Sequence, residues 1–192
     1  MRTIGFLFLL SAALSAPSPT QQPAPQPSPS AEASPSPGPA PITIRSAETD
    51  DLKVFFLNAP WGPQTFAMME RGGDSFYNKR TWPFARLETR RPFTLEGTPI
   101  PPGNYALVFH PNPPTNEGMS LEVKKIDVPE FLLEGNVMVR TPEGVTIYLA
   151  PVRFDTATST APALKIELAP DKGAITLKVQ YGDRLLIKQL QD

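Results

Sequence analysis

Residues Asn104 to His110 alternate so that Tyr105, Leu107 and Phe109 share one face of an extended segment while Ala106 and Val108 share the other. Both faces are apolar, which marks a strand with neighbours on either side rather than one at a sheet edge. Just before it, Pro101 and Pro102 remove two backbone donors, so no ladder of hydrogen bonds passes through them. Gly103 follows with a backbone free to take positive φ. A chain carrying this segment has to turn at 101–103 and then thread a central strand.

The same period of two recurs along the rest of the folded part. Strands are expected at Ile42–Arg45, Leu52–Leu57, Gln64–Met69, Phe93–Glu96, Asn104–His110, Ser120–Ile126, Val137–Arg140, Val145–Leu149, Leu164–Leu168, Ala174–Tyr181 and Arg184–Leu190. Ile175, Leu177, Val179 and Tyr181 form the cleanest half-buried face, against Thr176, Lys178 and Gln180. Gly182-Asp183 then supplies a two-residue reversal into the last strand. Only Pro129–Glu134 reads as a helical turn. Many short strands separated by turn residues predict an all-β chain, a single antiparallel β-sandwich of jelly-roll type over residues 42–192.

The N-terminus belongs to another regime. Arg2 followed by the apolar run Ile4–Leu14 has the form of a secretory signal peptide, with small residues placing cleavage after Ser15. The run is too short for a membrane span, which takes about 20 residues, and no integral membrane segment is expected after cleavage. Residues 16–41 are proline, serine, alanine and glutamine with little to bury, a disordered linker whose prolines keep it extended. A periplasmic or secreted location follows. The chain has no cysteine, which removes disulfides, thiol catalysis, thiolate metal sites and a lipidated N-terminal cysteine together. A net charge of −1 suggests neither nucleic acid nor an anionic membrane as partner.

One stretch carries concentrated chemistry. Phe76 to Arg91 interleaves Lys79, Arg80, Arg86, Arg90 and Arg91 with Phe76, Tyr77, Trp82 and Phe84. Arginine forks beside aromatic faces hold a sugar ring, a carboxylate or a phosphate; the plainer alternative is a loop and strand with its aromatics in the core and its charges in water. On the first reading the ligand-binding residues are Tyr77, Arg80, Trp82, Arg86 and Glu88. His110, the single histidine, ends the central strand and with Glu88 makes the acid–base pair a small hydrolase would use. One histidine without cysteine is a poor metal site, and no metal or other cofactor is expected. There is no G-x-S-x-G elbow, and the Gly72-Gly73 pair does not precede the strand and helix of a phosphate cradle.

The central turn and strand, Thr98 to Pro111 (TPIPPGNYALVFHP), resembles the L-P-A-G-T-Y-x-L signature of an exported bacterial family called domain of unknown function 2911. Trp82, after Ser75–Arg80, sits where that family has its tryptophan, and Ala161 to Leu190 is similar to its closing pair of strands, with Tyr181 where a tryptophan is usual. The resemblance spans about Phe76–Leu190. Where the family has Gly-Ala-Asn-Glu, this chain has Ala85-Arg86-Leu87-Glu88. The resemblance implies a mainly β, exported domain without an assigned activity. The expected function is a non-enzymatic binding or accessory domain for a cell-envelope glycan or small anionic ligand. The alternatives are the Glu88–His110 hydrolase and a module that pairs with another envelope protein through an edge strand.

Overall fold

The computed structural model describes residues 41–71, 81–111, 118–127 and 141–192. The expected leader, the expected linker up to residue 40, and the segments expected at Pro129–Glu134 and Val137–Arg140 lie outside the described residues. The chain runs β1 (Ile44–Glu48), β2 (Leu52–Leu57), α1 (Pro63–Arg71), β3 (Trp82–Thr89), β4 (Phe93–Leu95), β5 (Thr98–Ile100), β6 (Gly103–Pro111), β7 (Met119–Lys125), β8 (Val145–Val152), β9 (Asp155–Thr156), β10 (Lys165–Asp171), β11 (Ala174–Tyr181) and β12 (Arg184–Gln191). One antiparallel sheet has the order β1-β2-β3-β6-β7-β8; the other is β10-β11-β12-β4-β5, with β9 beside β12. Side chains from both sheets meet in one core, so the expected all-β sandwich is the fold.

The central segment behaves as its pattern requires. β6 lies between β3 and β7, and Tyr105 through Phe109 are buried on both faces. The proline pair is where the chain leaves the second sheet after β5 and enters the first. Tyr105, fully buried, turns its hydroxyl back to donate to the carbonyl of Pro101 at 2.5 Å. Thr89 Oγ1 donates to the same carbonyl at 3.0 Å and accepts from the N–H of Gly103 at 3.1 Å. The P-x-G-x-Y spacing thus closes a corner in which the Pro101 carbonyl, the Thr89 and Tyr105 hydroxyls and the Gly103 N–H are all paired.

Two sequence expectations need correction. Gln64–Met69 is not a strand but the body of α1. Pro63 occupies the first helical turn, where its missing N–H costs nothing, and the Ala67–Arg71 run consists of good helix formers. Phe66 is the one fully buried residue of the helix, with its N–H bonded to the Gly62 carbonyl at 2.9 Å. The second correction is β3, absent from the expected strands. Its register shifts between Pro83 and Ala85, leaving Phe84 as an extra residue. The bulge turns Trp82, Phe84 and Ala85 all toward the core, and Phe84 stacks on Phe109 at 4.1 Å and 11°.

A polar link joins the sheets at the β4–β5 turn, where Glu96 and Gly97 both have positive φ, as a tight two-residue hairpin demands. Glu96 accepts from Lys188 and from the Tyr148 hydroxyl, each at 2.5 Å. Those two bonds hold its carboxyl below the ordinary glutamate value against the opposing effect of burial.

Candidate functional site

After the bulge, β3 alternates normally: Leu87 and Thr89 face the core while Arg86 and Glu88 point away from it. The outer face of the first sheet is therefore where the sequence-nominated charges lie. Register places Phe55, Arg86, Ala106, Lys124 and Thr146 in one row across five strands. The next row toward one end carries Lys53, Glu88 and Asn104. Toward the other end come Val108 with Glu122, and then His110 with Ser120.

The first group is built around an aromatic ring. The Arg86 guanidinium lies over Phe55, 4.2 Å from its centroid, and Nη2 is 2.8 Å from Glu88 Oε1. Lys53 Nζ approaches the same ring at 4.8 Å and Glu48 at 3.1 Å. The arginine side chain is 11% exposed and Glu88 36%, so the stem is packed while the carboxylate reaches water. Chemically this is a pair of cations and a carboxylate arranged on an apolar platform, able to exchange hydrogen bonds with a ligand's acid and hydroxyl groups.

The second group is more buried. Ser120 and Glu122 are two of the three buried polar residues among those described; the third, Thr89, is accounted for by the Tyr105 corner. Glu122 accepts a hydrogen bond from the Thr146 hydroxyl. His110 stands opposite Ser120 and diagonal to Glu122, and its Nε2 is buried with no hydrogen-bond partner among the described residues. Burial pushes the imidazole below its ordinary 6.5; Glu122 acts to raise it and Lys124 to lower it. Because its folded value is lowered, the neutral ring contributes stability above about pH 6.5 that is lost as pH falls toward the folded value. His110 is the only histidine, so one proton NMR resonance reports it without assignment. Its midpoint is expected below that of an unfolded control, and lower again in Glu122→Gln. A midpoint at or above the control contradicts the burial described.

The sequence-nominated residues therefore do not form one site. Arg86 and Glu88 are in contact. Trp82 is on the opposite side of the sheet, against Tyr181 at 5.1 Å and Phe109 at 6.0 Å. Tyr77 and Arg80 lie outside the described residues. Glu88 is opposite Asn104, six residues before His110, which at the rise of a strand is roughly 20 Å. The carboxylate beside His110 is Glu122. Phe55, Lys53, Ser120 and Glu122 were not singled out from the sequence. The alternation in Lys53–Phe55 and in Ser120–Lys124 was visible, but it does not say which outward residues end up side by side.

A cleft of about 410 Å³ lies elsewhere, between the β1–β2 and β10–β11 turns. Of its two cations, Arg91 and Lys172, Arg91 is paired with Asp51 at 3.0 Å and with Asp192 at 2.7 Å. Among the described residues no group of three or more histidines and carboxylates is placed to hold a metal ion, and no helix is long and apolar enough to cross a membrane. No protein-family model, curated protein or solved structure matches the chain.

Proposed function

We propose that this protein is an exported, non-enzymatic binding domain for an acidic, carbohydrate-like ligand of the cell envelope. The ligand lies across the outer face of β2 and β3 at Lys53, Phe55, Arg86 and Glu88. The observation that carries the reading is the Arg86 guanidinium stacked on Phe55 at 4.2 Å, on the face of the sheet turned away from the core. The Lys53–Glu48 ion pair does not oppose binding, because such exposed pairs contribute only about 0–1 kcal/mol and exchange readily for a ligand carboxylate. The signal-peptide pattern, the linker and the family resemblance support export.

Calorimetric titration of a uronic-acid oligosaccharide against a neutral oligosaccharide of equal length tests this. The acidic ligand is expected to bind, and Lys53→Gln and Arg86→Gln each to weaken it by about 10- to 100-fold, the worth of one charge-assisted hydrogen bond. Equal binding of the two sugars, or full affinity in both variants, removes the assignment.

A further inference from the structure

We infer that two copies of this chain associate through β8, antiparallel about a twofold axis near Tyr148. This rests on the edges of the sheets and is independent of the ligand proposed above. Among the described residues four strands end the two sheets: β1, β8, β10 and β5. An open edge is a template for another strand, and proteins that stay apart blunt it with charge, proline or brevity. β1 carries Arg45 and Glu48; β10 carries Lys165, Glu167 and Asp171 with Pro170; β5 has three residues, one of them Pro99. β8 has eight residues, Val145–Val152, and no charge. Of the four large apolar residues left exposed among those described, two are on it, Val145 at 65% and Leu149 at 54%.

The charges that flank β8 name the occupant. Glu143 lies just before the strand and Arg153 just after it; both are exposed and neither has an ion pair among the described residues. A strand with a negative N-terminal end, a neutral middle and a positive C-terminal end is complementary to itself when antiparallel. With the axis at Tyr148, Glu143 falls opposite the partner's Arg153, and the symmetry makes that contact twice. The extra residue Ile147, where β8 breaks register with β7, shifts this by at most one position and leaves the charges diagonal neighbours. Pro151 and that bulge shorten the ladder, so the dimer is a small, reversible one rather than an obligate assembly.

The compact unit Pro39–Asp192 has its own core and serves for the test. Its sedimentation is followed from about 5 to 500 µM, the range in which small interfaces assemble. A concentration-dependent dimer is expected. Glu143→Arg alone and Arg153→Glu alone each weaken it by about tenfold, since each reversal sets like charges together twice. The double reversal restores it to within about threefold, and Leu149→Lys abolishes it. Circular dichroism confirms that these surface variants fold. A monomer throughout the range overturns the proposal, including one that captures a different envelope chain. So does a dimer indifferent to both single reversals, or a double variant that does not recover.

Discussion

Gly182→Ala is expected to lower the thermal midpoint by about 5 to 15 °C, from a loss of about 2–5 kcal/mol in a domain of this size. Two costs combine. Gly182 has φ of +63° in the two-residue connection between Tyr181 and Arg184, a conformation in which a side chain costs about 1 kcal/mol or more. A Cβ there would also lie 2.1 Å from the indole of Trp61. That ring packs edge-on against Tyr181 at 4.7 Å and tilted against Phe66 at 5.7 Å, so displacing it disturbs the aromatic end of the core at an overpacking cost of about 1–3 kcal/mol. Gly173 is the control. It has φ of +87° in the β10–β11 turn, and its Cβ would approach only the Asp192 carboxylate, at 3.8 Å. Gly173→Ala should show the conformational cost alone. Equal losses in the two variants would mean that the Trp61 contact contributes nothing.

Tyr105→Ala should be the most damaging side-chain deletion at the corner, about 3–5 kcal/mol by analogy with other large aromatic truncations in cores. Tyr105 is fully buried on the central strand. Tyr105→Phe separates the ring from the hydroxyl. Removing the hydroxyl does not orphan the Pro101 carbonyl, which keeps its bond from Thr89 Oγ1 at 3.0 Å. The loss is then that of one hydrogen bond, about 1 kcal/mol, rather than a full desolvation penalty. Thr89→Val combined with Tyr105→Phe strips both donors and should cost more than the sum of the singles. Urea melts of the four proteins decide it; strict additivity would show that the two bonds do not share an acceptor as described.

How far the sequence carries depends on the range of each signal. Leu52–Leu57 and Ala174–Tyr181 were legible to the residue because their alternation is local and uninterrupted. The reversal at Gly182-Asp183 was legible because turn chemistry is local too. α1 was missed because six residues without clear polar–apolar alternation say little about period, and the decisive signal was the proline that opens the helix. β3 was missed because a bulge interrupts its period: strict alternation puts Trp82, Phe84, Arg86 and Glu88 on one face, and the observed register puts the aromatics inside and the charges outside.

The sequence by itself determined that this chain is all-β, that the strand at Asn104–His110 is central, and that the turn at Pro101–Gly103 changes the direction of the chain. These follow from φ restriction, missing donors and apolar period, which act over a few residues. Only the tertiary structure decided that Arg86 meets Phe55 and Glu88, that Trp82 leaves them for the core, and that His110 is beside Glu122 rather than Glu88. Those neighbours are set by the register between strands far apart in the chain. A single extra residue in one strand reverses its two faces, and no local preference records which partner the ladder will choose.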